Sequence, residues 1–257
     1  MPAKGICNNV VKLHRTSSGT APVTPATIFG SALAFWVRAD LGATVTTGTL
    51  TALADQSGSG DPLKDMVFAP SPDGAPGYFA SSPQELNGQA CYGAYFGPGS
   101  MAMTCGPWAA PVPQPFWCFR AWVVFGGGAN VTFVGLDAGG SLANSAGLIH
   151  NTDGAGAGSM TSNSNSVMFS AALDAGHVAG CLYDGVASEL WLDAVTAATA
   201  TGNADTDAVQ SMLSGQYPGQ PGLYLFAEQF IVSGPITAGQ RTAAMQYLGT
   251  RYGVPLA

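Results

Sequence analysis

Short apolar segments recur along most of the chain, and turn-forming residues separate them. The candidate strands are residues 32–37, 49–53, 91–96, 116–125, 131–136, 147–150, 167–171, 177–183, 188–192 and 222–232. The turn signals between them include Asp73-Gly74, Asn87-Gly88, Gly126-Gly127-Gly128, Gly139-Gly140 and Asp184-Gly185. Short strands at this spacing, with turns of this kind, predict an all-β sandwich.

The segment 188–193 shows how side chains are distributed on a strand. Leu190 and Leu192 fall on one face, and Glu189, Trp191 and Asp193 fall on the other, because side chains alternate along extended backbone. Several other candidate strands are apolar throughout, which predicts that both of their faces are covered.

One helix is predicted, and it is the last element of the chain. Thr237 and Gln240 form a capping box, and Gly253 marks the helix end. The apolar stripe between them consists of Ala244, Met245 and Leu248. The Gly-, Ala-, Ser- and Asn-rich stretch 151–166 is predicted to be one long loop.

The pattern divides the chain into two parts. Residues 1–30 are predicted to form an extended arm and linker, because 16–30 are polar and interrupted by proline. Residues 31–257 are predicted to form the sandwich. The chain contains 47% hydrophobic but only 9% charged residues, so it can build a sizeable core and a weakly charged surface.

Several classes of protein are excluded by what the sequence lacks. It has no apolar run of about 18 residues, so we expect no membrane partner, and no apolar segment follows the first residues, so we expect no secretory signal. The cysteines, which number five, are widely spaced and form no CxxC pair: Cys7, Cys91, Cys105, Cys118 and Cys181. This arrangement predicts free thiols in place of a disulfide framework or a zinc site.

Charge is unevenly distributed between the two parts. The first fifteen residues carry +3 and no acidic residue, whereas the rest of the chain carries −10. This asymmetry is typical either of an arm that meets an acidic partner or of a solvated terminus. We favour an arm that docks on a partner, which would hold a polar terminus in place. The residues predicted to make this contact are Lys4, Val10, Val11, Lys12 and Arg15.

Four segments together resemble a known family. They are LAFWVRAD at 33–40, LADQSGSG at 53–60, LYDG at 182–185 with LWLD at 190–193, and FAEQFIV at 226–232 with Tyr247, Leu248 and Tyr252-Gly253-Val254. In this order they resemble the concanavalin A-like lectin/glucanase domains of the laminin-G-like type, over about residues 31–255. The resemblance implies a two-sheet antiparallel jelly-roll sandwich with a closing helix. It implies no reaction, because this scaffold carries lectins, hydrolases and structural modules.

Catalytic groups are not evident in the sequence. A glycosidase needs two carboxyl groups about 5–9.5 Å apart, and Glu189 and Asp193 on one strand would be roughly 13 Å apart. The glutamates are Glu85, Glu189 and Glu228, and none begins the alternating acidic pattern of hydrolases on this scaffold. Neither a nucleophile elbow nor a phosphate-binding glycine loop is present. The sequence therefore predicts that the chain is not an enzyme.

Two binding sites remain as candidates. Asn203, Asp205 and Asp207 offer alternating oxygen ligands for calcium, although the glycine and glutamate of an EF-hand are missing; no other cofactor is predicted. Trp191, between Glu189 and Asp193, is the candidate platform for a glycan, although most large aromatic side chains in a sandwich are core.

Domains of the type that the chain resembles are found in bacterial surface proteins and in phage virion proteins. This resemblance, taken with the expectations above, implies one main hypothesis and two alternatives. The main hypothesis is a non-catalytic structural protein of a tailed-phage virion, a capsid decoration protein docked through its arm. Its partners would be virion proteins such as the major capsid protein, further copies of the chain and a cell-surface glycan, with no direct nucleic-acid contact. The first alternative is a carbohydrate-binding module of a bacterial surface or secreted protein, and the second is a glycan-processing enzyme.

Overall fold

The computed structural model describes residues 22–68, 77–79, 86–96, 102–124, 131–137, 145–150, 156–162, 165–185, 187–194, 198–199, 211–214 and 222–257. The helices are α1 (Pro25–Phe29) and α2 (Ala238–Tyr252), together with short 3-10 turns at Gly30–Ala32 and Pro62–Lys64. The strands are β1 (Leu33–Arg38), β2 (Ala43–Thr46), β3 (Thr49–Leu53), β4 (Met66–Phe68), β5 (Gly77–Phe79), β6 (Cys91–Phe96), β7 (Ala102–Cys105), β8 (Phe116–Val124), β9 (Val131–Asp137), β10 (Ser145–His150), β11 (Ala157–Ser162), β12 (Asn165–Ser170), β13 (Ala175–Tyr183), β14 (Glu189–Leu192), β15 (Ala198–Thr199), β16 (Ser211–Ser214) and β17 (Gly222–Ser233).

The strands pair into two antiparallel sheets. The larger has the order β15-β14-β13-β8-β17-β6-β5-β3-β4-β7-β16, with β1 pairing with β17 and β2 with β3. The smaller has the order β12-β11-β10-β9. The long strand β17 pairs first with β6 and then with β1 along one edge, and with β8 along the other. The predominance of antiparallel sheet and the closing helix agree with the predicted β-sandwich.

Both faces of the central strands are buried, as the continuous apolar runs predicted. Phe116, Cys118 and Trp122 of β8 point into a core cluster shared with β3, β4, β10 and β11. Phe119 and Val123 of the same strand point into a second cluster, which contains side chains of α1 and α2. Because side chains alternate between the two faces of a strand, β8 contributes to a hydrophobic cluster on each face of the sheet.

Helix α2 has the predicted boundaries and caps. The Thr237 hydroxyl accepts a hydrogen bond from the Gln240 amide at 3.1 Å, and Gly253 closes the helix with φ of 70°. Ala244, Met245 and Leu248 are wholly buried, which confirms the predicted apolar stripe. In the part of the chain that is described, no helix is long and apolar enough to cross a membrane.

Two predictions about irregular segments differ from the structure. Strand β11 and the start of β12 lie in the stretch predicted to be one loop, and α1 lies in the stretch predicted to be a linker. Helix α1 begins at Pro25, a residue preorganised for the first helical turn, behind the N-cap Thr24. Phe29 at its end is 6% exposed and packs on Phe119 and Phe230, so this segment belongs to the folded body.

The helix-to-sheet contact leads to a prediction about Gly180 of β13. A Cβ atom at Gly180 would lie 2.8 Å from the Phe119 ring and 3.3 Å from the Met245 sulfur. Gly180→Ala should therefore lower the free energy of unfolding by about 1–3 kcal/mol, because a packed interface must shift. Urea denaturation measures this change.

The matched control is Gly239→Ala in the first turn of α2. The nearest atom to a Cβ there is 3.9 Å away, so this variant should keep or raise stability by up to about 1 kcal/mol through helix propensity. Equal effects of the two substitutions would contradict the proposed close packing at Gly180.

Candidate functional site

A buried carboxyl group lies where β1, β17 and α2 meet. Glu228 of β17 is 0% exposed and follows a register shift in the pairing with β8. It accepts hydrogen bonds from Trp36 Nε1 at 2.7 Å, from Tyr252 Oη at 2.7 Å and from Tyr247 Oη at 2.9 Å. The three donors come from two elements distant in sequence, so one side chain fixes the helix on the sheet.

Two arginines and a second carboxylate adjoin this group. Arg251 Nε lies 3.8 Å from Glu228 Oε2 and 3.2 Å from the Tyr252 hydroxyl, and Arg251 Nη2 contacts Asp40 Oδ2. Arg38 donates from Nε and Nη2 to the two oxygens of Asp40, each at 2.8 Å. Asp40 is therefore held by a bidentate pair and shared with a second guanidinium, a geometry that fixes all three side chains.

The two carboxyl groups have environments that move their pKa values in opposite directions. Burial raises the pKa of Glu228 to about 7, although the surrounding donors oppose this rise. For Asp40, partial burial is outweighed by the hydrogen bonds from Arg38 and the charge of Arg251, which hold its pKa below the ordinary value. Burial and the neighbouring Glu228 raise the pKa of Tyr247, so its hydroxyl stays protonated and donates.

Opposed pKa values in neighbouring carboxyl groups are a feature of acid–base catalysis. Here Glu228 is fully buried behind Tyr247 and Arg251, and in this conformation no substrate atom can touch it. Its role is structural, because its hydrogen bonds fix the positions of Trp36, Tyr247 and Tyr252.

A groove opens in front of this cluster along α2, and we call it the α2 groove. It has a volume of about 550 Å³ and is lined by Val23, Asn87, Gln89, Ala243, Gln246, Tyr247, Thr250 and Arg251. The last five residues are spaced as i, i+3, i+4, i+7 and i+8, so they form one face of the helix. The lining combines amides, hydroxyl groups, one aromatic ring and one guanidinium.

The far wall of the groove is tied to the helix end. Asn87 Nδ2 donates to the Arg251 carbonyl at 3.2 Å. A Cβ atom at Gly253 would lie 3.0 Å from Asn87 Cβ, so the turn before β6 and the helix end are in close contact. Asn87 on one wall of the groove is thus fixed relative to the end of α2 on the other.

The predicted glycan platform lies elsewhere and is covered. Trp191 is 5% exposed and its ring lies 3.8 Å from the Arg241 guanidinium of α2, measured to the ring centroid. Its Nε1 donates to Glu189 Oε2 at 3.1 Å. The structure therefore places Trp191 in the interface between helix and sheet, where its ring is not available for stacking on a sugar.

Asp193 also has structural partners. Its carboxylate accepts from the Val178 amide at 2.7 Å and contacts His177 Nδ1 at 2.5 Å. His177 Nε2 contacts the Ala172 carbonyl at 2.7 Å, and the bonds to these acceptors outweigh burial and raise the pKa of His177. Asp193 thus ties the end of β14 to β13, whereas Trp191, which Glu189 holds through a hydrogen bond, packs against α2.

The remaining predicted site residues fall outside the described part of the chain. They are the arm residues Lys4, Val10, Val11, Lys12 and Arg15, and the calcium candidates Asn203, Asp205 and Asp207. Among the described residues, no group of His, Cys, Asp and Glu has the arrangement of a metal site. Docking through the arm, self-association and calcium binding therefore stay predictions.

The α2 groove was not predicted from the sequence, although a signal for it exists. The capping box and the buried stripe predict the helix, and the groove residues lie on its opposite side. Gln246, Tyr247, Thr250 and Arg251 recur on that side with helical spacing. The sequence does not predict that Asn87 and Gln89 line the same groove, because only the fold brings them next to the helix.

Comparison with known proteins gives structural neighbours only. No family model and no curated protein matches the chain. Two structures of a GH54 α-L-arabinofuranosidase, one soaked with 4-nitrophenyl α-L-arabinofuranoside and one with a cyclic sulfate inhibitor, are 11% and 12% identical, each with a TM-score of 0.59. Each match covers 79% of this chain and 51% of that enzyme, so the chain spans about half its length.

Other similar structures have lower scores. The botulinum neurotoxin type G receptor binding domain is 7% identical with a TM-score of 0.53, covering 84% of this chain and 50% of that chain. A Trypanosoma rangeli sialidase in complex with the inhibitor DANA is 11% identical with a TM-score of 0.52, covering 88% and 35%. At these identities the likeness shows a sheet-rich sandwich fold.

These neighbours contradict two of the predictions. The main hypothesis was a non-catalytic structural protein of a tailed-phage virion. It is wrong, because the structures that resemble this fold include a glycoside hydrolase and a sialidase. The prediction that the chain is not an enzyme is contradicted by the same finding. The first alternative, a carbohydrate-binding module, fits the comparison better.

The buried carboxyl group leads to a prediction about pH. The unfolded chain releases the Glu228 proton near its ordinary value of 4.5, whereas the folded chain holds it up to about pH 7. The folded state binds more protons in this window, so its stability should fall by roughly 3 kcal/mol as the pH rises through it. Glu228→Gln cannot titrate and should flatten this slope in urea denaturation between pH 5 and 7.5.

The control for this experiment is Glu189→Gln, the same substitution at a half-buried position on β14. It should keep the wild-type slope. If Glu228→Gln and wild type show the same pH dependence of stability, Glu228 does not titrate as its burial predicts.

Proposed function

We propose that the chain is a carbohydrate-binding domain, with a jelly-roll sandwich of the concanavalin A-like type as its scaffold and the α2 groove as its sugar site. The observation that carries this proposal is the lining of the groove, where an aromatic ring lies among amide and hydroxyl side chains. The proposal includes a setting on a bacterial surface protein or in a secreted protein, where glycans are accessible.

Sugars require this combination of groups. Each hydroxyl of a sugar both donates and accepts hydrogen bonds, and amide and hydroxyl side chains such as Gln246, Asn87 and Thr250 can do the same. The C–H face of a sugar ring is apolar and packs on aromatic or aliphatic surface, which Tyr247, Ala243 and Val23 supply. The groove therefore offers partners for both faces of a saccharide.

The size and rigidity of the groove also suit a small saccharide. Its volume of about 550 Å³ lies within the usual range of small-molecule sites, about 300–1,000 Å³. The ring of Tyr247 is held from behind by its hydrogen bond to Glu228, so it is oriented before a ligand arrives. A prepositioned ring lowers the entropy lost on binding.

The structural neighbours give independent support to this choice of ligand. The arabinofuranosidase was soaked with an arabinofuranoside, and the sialidase was solved with the inhibitor DANA. For the present chain, arabinofuranosyl, galactosyl and glucosyl oligosaccharides are the first probes to test. Analysis of the same mixtures for newly released reducing sugar measures whether binding leads to hydrolysis.

The binding prediction concerns two exposed side chains one helical turn apart. Gln246→Ala and Thr250→Ala each remove a hydrogen-bonding group from the groove lining and leave the buried stripe of α2 intact. Each should weaken binding of the best oligosaccharide about 3- to 10-fold, the value of one hydrogen bond. Isothermal titration calorimetry measures the affinity after a screen on a glycan array.

Thr242→Ala is the matched control, because Thr242 lies on α2 but does not line the groove. It should bind like wild type. The absence of binding to any glycan on the array, or binding that neither groove substitution weakens, would refute the assignment of the sugar site.

A further inference from the structure

We infer, building on the proposed function, that the α2 groove selects neutral glycans over anionic ones and that Asp40 determines this selectivity by engaging Arg251. Asp40 does not line the groove. It lies behind Arg251, which does.

Arg251 is the one positively charged side chain in the groove lining as the described residues form it. A guanidinium recognises a sugar carboxylate through paired N–H groups, which give two parallel hydrogen bonds. Nη2 of Arg251 already contacts Asp40, and Nε lies 3.2 Å from the Tyr252 hydroxyl. The edge formed by these two nitrogen atoms is therefore occupied within the protein.

Asp40 is a strong competitor for this guanidinium. Arg38 holds both oxygens of Asp40 at 2.8 Å, so the carboxylate is positioned at no further entropic expense when it contacts Arg251. An anionic sugar that used the Nε/Nη2 edge of Arg251 would have to displace a preorganised carboxylate of the same charge. This is unfavourable, since the displaced carboxylate stays nearby and repels the ligand.

The charges around the groove add to this effect. Two guanidinium groups, those of Arg38 and Arg251, face two carboxyl groups, those of Asp40 and Glu228. Above about pH 7, where Glu228 is ionised, the cluster therefore has no excess positive charge that would attract an anion, and the chain as a whole carries a net charge of −7. A neutral saccharide meets no such barrier, because it uses the hydroxyl and amide groups of the lining.

The experiment uses one ligand in two charge states. The primary hydroxyl groups of the best neutral oligosaccharide are oxidised to carboxylates, and a portion of the product is converted to the methyl ester. Acid and ester differ in charge but share the sugar skeleton. Their affinities for the 257-residue chain are measured by calorimetry at pH 8 and low ionic strength, where charge effects are least screened.

The wild-type chain should bind the ester about tenfold more tightly than the acid. Asp40→Asn removes the competing charge and should lower the ester-to-acid affinity ratio about fivefold or more. Asp184→Asn, which changes the net charge by the same amount in the turn after β13, should keep the wild-type ratio. Asp40→Ser is a second variant without the charge and checks the result of Asp40→Asn. The ester-to-acid affinity ratio of the wild-type chain tests the selectivity itself, without any substitution.

The outcomes separate the inference from the function on which it rests. Wild-type binding of the acid that equals or exceeds binding of the ester would overturn the selectivity while leaving the sugar site intact. An unchanged ratio in both Asp40 variants would overturn the role of Asp40. If neither the ester nor the unmodified oligosaccharide binds, the proposed sugar site itself is refuted.

Discussion

The structure depends on the burial of a single carboxyl group. Glu228 is withdrawn from water, and a buried carboxyl group is tolerated only when its oxygens have hydrogen-bond partners. Those partners are Trp36 of β1 and the hydroxyl groups of Tyr247 and Tyr252 on α2. Satisfying Glu228 therefore requires that the first strand, the last strand and the closing helix meet at one point. The orientation of α2 on the sheet, and hence the shape of its groove, follows from this requirement.

The same cluster limits what the groove can bind. Arg251 lies 3.8 Å from the buried Glu228 and also contacts Asp40, so its guanidinium is turned toward the protein. Among the described residues, the groove lining then consists of amides, hydroxyl groups, the Tyr247 ring and a guanidinium that Asp40 engages. In the function that we propose, the electrostatic arrangement that stabilises the helix contact also favours uncharged, hydroxyl-rich ligands.

Local sequence patterns predicted the elements whose formation is local. The cap at Thr237 and the buried stripe of α2 depend on residues within a few positions of each other, and both were predicted correctly. All the predicted strands overlap observed strands, because apolar alternation is visible without the fold. Strand β11 was missed because Ala157–Ser162 is rich in small and polar residues, and its partners β10 and β12 stabilise it. The covering of Trp191 by Arg241 likewise depends on where the helix packs.

The groove could not be predicted in the same way, because it joins positions far apart in the sequence. Even so, three of the segments that carry the family resemblance meet at the Glu228 cluster. Segment 33–40 supplies Trp36 and Asp40, segment 226–232 supplies Glu228, and Asp55 in segment 53–60 accepts from the Trp36 amide at 2.8 Å.

The residues that carry the resemblance thus anchor the helix on the sheet, a structural role that is separate from the binding of any ligand. Of the residues that would touch a ligand, Tyr247 belongs to the resemblance, whereas Gln246 and Thr250 lie outside those segments. A resemblance of this kind therefore indicates the fold, and ligand specificity has to be argued from the exposed side of α2. The virion hypothesis was wrong because it took a function from segments whose physical role is to hold the sandwich together.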